Sequence, residues 1–320
     1  MERIAVLTSG GDAPGMNAAI RAVVRTALNN KIDIYGVERG YAGLIKGEIT
    51  RLNHRSVSDM IHKGGTFLKT ARCPEFKDVE VQRQAAEALS AYDIDGLVVI
   101  GGDGTLRGAR DLSENCGVKV VGIPGTIDND LAYTDYTIGF DTAVNSVLWA
   151  INNLRDTMHS HDRVSLIEVM GRHCGDIALY AGVAGGVEYV LVPEIEYDLD
   201  KIASSIKKSY LRGKTSNMII LAEGAGNREE IVSRIQEKSG MSVKVTNFGY
   251  IQRGGSPNMQ DRILAARFGY KAVEILKNGG DSCAIGIKDN KVITVPFSEV
   301  STAKKVFDKE LYDIAHTLSL

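Results

Sequence analysis

Short apolar runs rich in β-branched residues recur along the chain, and each is followed by a polar, glycine-rich cluster. The apolar runs predict strands at 4–7, 96–100, 118–123, 164–169 and 218–221, and helical spacing predicts helices at 18–28 and 106–112. This alternation is typical of βαβ units, so we expect an α/β fold with mainly parallel sheets flanked by helices. Ligands of such sheets bind beyond the carboxyl ends of the strands, which is where the polar clusters lie.

Composition narrows the class of protein. The chain has 320 residues, enough for two domains at roughly 150 residues each. With 38 Lys and Arg against 40 Asp and Glu, the net charge of −2 provides no basic field that would attract nucleic acid or an acidic membrane. No apolar run approaches the roughly 18 residues that span a bilayer, and the N-terminus lacks a signal-peptide layout. Cysteines stand far apart, at Cys73, Cys116, Cys174 and Cys283, which favours reduced thiols and a cytoplasmic location.

Familiar nucleotide-binding signatures do not fit. The Gly213-Lys214-Thr215 segment has Lys208 where a Walker A loop needs its first glycine. In the first predicted turn, Asp12 stands where a dinucleotide-binding fingerprint needs its second glycine. Protein-kinase signatures do not occur. Any phosphate chemistry must therefore use another arrangement.

The segment Gly101-Gly102-Asp103-Gly104-Thr105 joins a predicted strand to a predicted helix. Its glycines allow close backbone approach, and a helix N-terminus offers free N–H groups to phosphate. Asp103 would repel phosphate unless a cation intervened, so it is a candidate Mg²⁺ ligand acting through water. Asp103 could equally be an N-cap of the helix, and the spacing does not decide between these two interpretations.

The segment 124–130 contains two carboxylates, Asp128 and Asp130. In an extended segment, residues i and i+2 point to the same side. One of the two could then act as general base on a hydroxyl. The alternative is an Asx-rich turn with solvated acids.

Arginines stand close to these turns, at Arg72, Arg163, Arg172 and Arg253. Guanidinium groups bind phosphate oxygens in bidentate fashion, so the set indicates phosphate at more than one point, although any one arginine could be a solvated surface charge. Arg21 and Arg25 share one face of the first predicted helix, which by itself favours an exposed face. His159 and His161 have no metal-ligand spacing.

Five motifs occur in order along the chain, at 7–17, 101–105, 124–130, 170–172 and 252–257. Together they resemble those of the bacterial 6-phosphofructokinases from the first strand to about residue 300. The resemblance implies transfer of the γ-phosphoryl group of ATP to the 1-hydroxyl of fructose 6-phosphate, with Mg²⁺ as cofactor. It also implies a homotetramer with shared sites and a cleft between two α/β domains. These would be an ATP-binding domain at 1–138 plus 252–305 and a fructose 6-phosphate-binding domain at 139–251 plus 306–320.

The same resemblance implies roles for individual residues. Asp128 would be the general base and Asp103 the Mg²⁺ ligand; the catalytic set is Asp128, Thr126, Arg172 and Arg72. The residues along ATP would be Gly11, Arg72, Cys73, Gly102, Asp103, Gly104 and Thr105. The residues along the sugar phosphate would be Thr126, Asp128, Asp130, Arg163 of a neighbouring subunit, Met170, Gly171, Arg172, Glu223, Lys244, Tyr250 and Arg253.

Two glycines bear on the phosphoryl donor. Pyrophosphate-dependent members of this family typically carry Asp at the position of Gly104 and Lys at that of Gly125. Both glycines are expected to leave room for the α-phosphate and adenosine, so ATP is the expected donor and a pyrophosphate-dependent enzyme the alternative.

Departures from the family pattern concern affinity and regulation. Lys244 replaces an arginine and Tyr250 a histidine in the sugar-phosphate site, with altered affinity as the expected result. Arg21, Arg25, Arg155, Glu188, Arg212 and Lys214 match the family's effector site for ADP or phosphoenolpyruvate. In that site, His54 stands in place of an arginine, and Thr215 and Ser216 stand in place of a lysine and a histidine. The loss of three charge-assisted contacts of about 1.5–3 kcal/mol each predicts a weakened response to these effectors.

Overall fold

The computed structural model describes residues 1–158, 160–300, 302–303 and 305–319. His159, one of the two histidines weighed as a metal ligand, lies outside the described residues, as do Ser301, Lys304 and Leu320 of the predicted domain ranges. None of the helices in the described part of the chain has both the length and the apolar character needed to cross a membrane.

Two compact units make up the chain, and both are discontinuous. Unit 1 comprises Met1–Ile127, Leu131–Thr142 and Arg253–Lys305, and unit 2 comprises Asp128–Asp130, Ala143–Gln252 and Val306–Leu320. Compared with the predicted domain ranges, residues 128–130 and 252 fall in unit 2, and 139–142 fall in unit 1. The chain therefore passes from one unit to the other inside two of the five motifs.

The strands are β1 (Arg3–Thr8), β2 (Asp33–Val37), β3 (Ile49–Arg51), β4 (Gly96–Gly101), β5 (Lys119–Thr126), β6 (Ile138–Gly139), β7 (Val164–Val169), β8 (Tyr189–Leu191), β9 (Asn217–Ala222), β10 (Val243–Asn247), β11 (Cys283–Lys288) and β12 (Lys291–Pro296). The α-helices are α1 (Met16–Asn29), α2 (Gly40–Ile45), α3 (Val79–Ala91), α4 (Asp103–Cys116), α5 (Phe140–Met158), α6 (Asp176–Ala184), α7 (Leu199–Leu211), α8 (Arg228–Ser239), α9 (Met259–Lys277), α10 (Phe297–Val300) and α11 (Lys309–Leu318).

The sheet of unit 1 has the order β12-β11-β5-β4-β1-β2-β3, with β6 paired to β5. Its centre is parallel, and every residue of β4 is buried, as expected for a continuous apolar run covered on both faces. Alternate residues of β1 and β4 pack into a core with α2, α3 and α4, in which the rings of Tyr41 and Phe76 stack 4.0 Å apart. This core fixes the carboxyl ends of β1, β4 and β5 next to one another.

The sheet of unit 2 has the order β10-β7-β9-β8, and its strand pairs are all parallel. β9 is fully buried, and β7 lies beside it with Val169 opposite Ala222. Asp198 and Asn227 cap the N-termini of α7 and α8 by accepting backbone N–H bonds. The carboxyl ends of β7, β9 and β10 therefore meet at one edge.

The predicted mainly parallel α/β fold is confirmed, since all five predicted strands and both predicted helices occur with ends shifted by at most a few residues. Two antiparallel pairs, β2 with β3 and β11 with β12, were not predicted. They form the two edges of the larger sheet, where mixed polarity weakens the apolar pattern of the strands.

Candidate active site

In unit 1, the turns after β1 and β4 lie against each other. The amide of Ser9 donates to the carbonyl of Ile100 at 3.0 Å. A side chain at Gly101 would place its Cβ 2.5 Å from the Ser9 carbonyl oxygen, so this close approach requires glycine. The hydroxyl of Thr70 ties a third segment to them by donating to the Gly10 carbonyl at 2.7 Å. Three separate stretches of sequence thus converge on one end of the sheet.

Gly11 packs directly against the guanidinium group of Arg253, a residue 242 positions later in the chain. A Cβ at Gly11 would lie 1.9 Å from Arg253 Nη1 and 2.8 Å from its Cζ. Arg253 Nη1 donates to the carbonyl of Asp12 at 3.3 Å. The glycine turn and the arginine of the 252–257 motif therefore belong to one cluster within unit 1.

Asp103 is the first residue of α4, and its N-cap is Gly102, without any side-chain capping bond. The interpretation of Asp103 as an N-cap is therefore wrong. Its half-exposed carboxylate instead forms a bidentate pair with Arg107 one turn along the helix, at 2.7 and 3.2 Å. The acid thus sits at the positive end of α4 and faces an exposed cation.

The two glycines that bear on the phosphoryl donor have different surroundings. A Cβ at Gly104 would meet nothing within 4 Å, so this position borders open space. A Cβ at Gly125 would lie 3.0 Å from Ile100 Cγ2 and 3.3 Å from Met16 Cε. Gly125 is therefore a closely packed position in β5, and the expectation that it leaves room for the α-phosphate and adenosine stays a prediction.

Arg72 and Cys73 precede a 3-10 helix, Pro74–Lys77, in unit 1. Arg72 is exposed and Cys73 is half-buried. Burial raises the pKa of the Cys73 thiol to about 11, and Glu75 adds to this effect. Cys73 is therefore a neutral thiol at physiological pH and suits contact better than reaction.

Thr126 and Thr105 are fixed by backbone contacts in unit 1. The hydroxyl of Thr137 donates to the carbonyl of Thr126 at 2.7 Å, where β5 ends beside β6. Thr105 is buried in the first turn of α4, and its carbonyl accepts from the Tyr41 hydroxyl at 2.7 Å. Asp261, which is 1% exposed, accepts from the amide of Gly139 at 2.8 Å at the end of β6.

In unit 2, residues 128–130 do not continue the strand. β5 ends at Thr126, and Asn129 has φ +50°, in the left-handed region. The expectation that Asp128 and Asp130 share a side because the segment is extended is therefore wrong. Asp128 is half-buried, Asp130 is exposed, and Asn129 between them is buried.

The carboxyl ends of β7 and β9 bring Met170, Gly171, Arg172 and Glu223 together. The amide of Gly224 donates to the Gly171 carbonyl at 3.1 Å, and a Cβ at Gly224 would lie 1.9 Å from the Arg172 carbonyl oxygen. Met170 and Glu223 line a cavity of about 320 Å³, together with Glu168, Val169, Gly226, Asn227, Arg228, Glu229, Asn247 and Gly249. Glu168 is held there by Arg228 and Asn247, each at 2.7 Å.

The remaining sugar-phosphate candidates in unit 2 lie at its surface. Lys244 is exposed on β10, and Tyr250 is 84% exposed in a 3-10 turn, Gly249–Arg253. Arg163 is half-buried and donates to the hydroxyl of Thr157 at 3.2 Å. Buried Gln252 fixes this 3-10 turn to β7, accepting from the amide of Met170 at 3.2 Å and donating to the Gly249 carbonyl at 3.0 Å.

The effector candidates are divided between the units. Arg21 and Arg25 lie on α1 of unit 1. In unit 2, Glu188, Arg212 and Lys214 line a cavity of about 680 Å³ whose walls come from β8, α7 and α11. Lys214 Nζ lies 2.9 Å from Glu188, and Arg155 donates to the carbonyls of Gly185 and Gly186. Three of the candidates thus border one cavity, while Arg155 fixes a turn.

Several residues of these clusters were missed by the sequence analysis. Arg107, Asn129, Asp176, Gln252 and Asp261 all make specific contacts here. Asn129 and Gln252 lie within the motifs at 124–130 and 252–257, and this position in the sequence could have marked them as site residues. Arg107 could have been found from its i,i+4 spacing to Asp103. Nothing in the local sequence around Asp176 or Asp261 indicates their distant partners.

The part of the chain that the structure describes contains no group of three or more His, Cys, Asp or Glu side chains that could hold a metal ion without other ligands. A single half-exposed carboxylate next to open space still fits Mg²⁺, which keeps several waters and is commonly bound by one or two carboxylates plus substrate phosphates.

Comparison with known proteins agrees with this arrangement. A model of the phosphofructokinase family matches residues 3–276, and the chain belongs to this family. The chain is 59% identical over 319 residues to an ATP-dependent 6-phosphofructokinase of Clostridium acetobutylicum, and 57% identical to one of Clostridium novyi, with 100% of each chain covered. A solved phosphofructokinase structure from Saccharomyces cerevisiae superimposes with a TM-score of 0.89 at 36% identity, over 100% of this chain and 48% of that one.

Proposed function

We propose that this protein is an ATP-dependent 6-phosphofructokinase, which converts fructose 6-phosphate and ATP into fructose 1,6-bisphosphate and ADP. The observation that carries the proposal is the start of α4 in unit 1. There a carboxylate, a glycine bordering open space and free helix N–H groups follow a buried parallel strand. Full-length identity of 57–59% to ATP-dependent 6-phosphofructokinases supports the same reaction.

The nucleotide lies along unit 1 in this proposal. Gly11, Gly102, Gly104 and Thr105 supply close backbone approach, and Arg72 and Cys73 border the site. Asp103 would hold Mg²⁺ through water, in place of its contact with Arg107. When bound there, Mg²⁺ would supply positive charge that stabilises the negative charge developing on the phosphate oxygens.

The chemical step needs one base and several cations. Asp128 takes the proton of the 1-hydroxyl as that oxygen bonds to the γ-phosphorus, while the bond from this phosphorus to the bridging oxygen of ADP breaks. Thr126 lies beside the transferring group, and Arg72 and Arg172 stabilise its charge. Phosphoryl transfer depends mostly on such positioning and charge stabilisation.

The sugar phosphate is held by residues of the second cluster and by Arg253. Met170, Gly171 and Glu223 contact the sugar, and Asp130 would lie near Mg²⁺ when the cation is bound. The phosphorylated end is bound by Lys244, Tyr250, Arg253 and Arg163 of a neighbouring subunit. The cavity beside Met170 and Glu223 supports this assignment. Lys244 retains a positive charge but lacks the bidentate fork of arginine, so affinity is altered and chemistry retained.

The decisive experiment is ³¹P NMR of the protein with fructose 6-phosphate, Mg²⁺ and either ATP or pyrophosphate, repeated with Asp128→Ser. Fructose 1,6-bisphosphate should form from ATP and not from pyrophosphate, and the variant should be slower by orders of magnitude. Turnover with pyrophosphate alone would favour the alternative donor. Consumption of neither donor would contradict the proposal.

We further propose a homotetramer with a weak effector site. Exposed apolar side chains of α9, Met259, Ile263 and Tyr270, recur on one face and support subunit contacts. The cavity bordered by Glu188, Arg212 and Lys214 supports an anion site, completed by Arg155 and by Arg21 and Arg25 of a neighbouring subunit.

Sedimentation velocity should give four times the chain mass. Because His54, Thr215 and Ser216 provide less positive charge than the family pattern, phosphoenolpyruvate and ADP should shift the fructose 6-phosphate rate curve only slightly. A steep sigmoidal response at micromolar phosphoenolpyruvate would contradict this.

A further inference from the structure

Asn129 is a buried, left-handed residue between the two acids of the 124–130 motif. Its side chain and backbone are 1% exposed, and its φ is +50°. Residues other than glycine rarely adopt this conformation, although asparagine does so more readily than most. A left-handed residue that is also buried must be held by its surroundings, and such positions concentrate at functional sites.

The side chain of Asn129 is bonded to a buried acid 47 residues away. Its Nδ2 donates to Oδ2 of Asp176 at 3.0 Å, and Asp176 is only 3% exposed. Asp176 is the first residue of α6, where the helix N-terminus stabilises a carboxylate. A hydrogen bond to an ionised acceptor is stronger than a neutral one, and removing either partner leaves a buried polar group unsatisfied.

This bond joins two functional loops of unit 2. The loop 128–130 carries Asp128, and the loop that connects β7 to α6 carries Arg172. A second contact lies beside the first, because Cys174 Sγ is 4.0 Å from the carbonyl oxygen of Asn129. Gly175, which precedes Asp176, is fixed in turn by donating its amide to Glu194 at 2.8 Å.

We propose that Asn129 and Asp176 are positioning residues that hold the Asp128 carboxylate at its catalytic location. Neither touches the substrate; they act by fixing the backbone on which Asp128 is carried. This inference rests on the proposed function, in which Asp128 is the general base. A base must lie within about 2.6–3.2 Å of the proton it removes, and a displacement of about 1 Å lowers a rate by about 10²-fold.

The test uses Asn129→Gly, because glycine adopts φ +50° without strain while the side-chain bond to Asp176 is removed. The kcat of this variant should fall about 10- to 100-fold, with the calorimetric Kd for fructose 6-phosphate unchanged within about twofold. The matched control is Asn290→Gly, which replaces another left-handed asparagine, exposed in the β11–β12 turn, and should leave kcat unchanged.

A double variant separates positioning from general destabilisation. If Asn129 acts through Asp128, then Asp128→Ser and Asp128→Ser with Asn129→Gly should have the same residual rate. An Asn129→Gly enzyme with wild-type kcat, or a further loss in the double variant, would overturn the inference while the proposed function stands. An Asp128→Ser enzyme with wild-type kcat would overturn both.

Asp176 provides the second, independent variant if Asn129→Gly does not fold. Asp176→Ala should lower kcat as Asn129→Gly does, while Asp176→Asn keeps an oxygen that accepts the bond and should recover most of the rate. Equal rates for these two variants would refute a role for the hydrogen bond.

Discussion

Gly11→Ala tests the contact between the first glycine turn and Arg253. The added Cβ would lie 1.9 Å from Arg253 Nη1, whereas ordinary contact needs 3.4 Å or more. The guanidinium group must therefore move by about 1.5 Å, which also breaks its bond to the Asp12 carbonyl. Because Gly11 is exposed and outside the left-handed region, the backbone itself accepts alanine.

The expected consequence is a loss of sugar-phosphate affinity. A charge-assisted contact of arginine with phosphate contributes about 1.5–3 kcal/mol, so the KM for fructose 6-phosphate should rise about 10- to 150-fold. Calorimetry should show Tm unchanged within about 1–2 °C, since surface changes are usually within about 0.5 kcal/mol.

The matched control is Gly104→Ala, where the added Cβ meets open space. It should leave the KM for fructose 6-phosphate unchanged. In an Arg253→Ala background, Gly11→Ala should have no further effect on this KM. A Gly11→Ala enzyme with a wild-type KM and Tm would refute the reasoning that links these two residues.

Three further variants test separate parts of the structure. Burial raises the pKa of Asp261 to about 6, so the folded protein loses up to about 3 kcal/mol of stability as pH rises from 4 to 7. Asp261→Asn should remove this loss of stability with rising pH in calorimetric unfolding. An equal loss in the variant would contradict the assignment to Asp261. Tyr41→Phe removes the bond to the Thr105 carbonyl and should lower the free energy of unfolding by about 1–2 kcal/mol in urea; an unchanged value would exclude that bond. Lys244→Arg restores a bidentate fork and should lower the KM for fructose 6-phosphate about fivefold at constant kcat. An unchanged KM would show that residue 244 does not contact the phosphate group.

Local sequence predicted the parts of the fold that local physics determines. β4 is an uninterrupted apolar run that is buried throughout, and it is followed by the glycines that its turn requires. Position 129 shows where prediction from local sequence fails. Asn129 is left-handed and is bonded to a residue 47 positions away, and the local pattern, which indicates an extended segment, predicts neither.

Distance along the chain also explains the other failures. The contact of Gly11 with Arg253 spans most of the sequence, so neither residue's surroundings predict it. Asp103 stands where an N-cap could occur, one position inside the true cap at Gly102. The helix begins three residues before its predicted start at residue 106, and the role of a terminal side chain depends on a single position.

The division of the chain into two units has a consequence for gene-level engineering. Neither unit corresponds to a continuous stretch of coding sequence, because each is assembled from three segments. Two of the crossing points, after Ile127 and after Gln252, fall inside motifs that carry proposed catalytic or binding residues. Recombination between related genes at either of these two crossing points would therefore divide a motif that carries site residues, and we expect functional chimaeras to join elsewhere, within one unit.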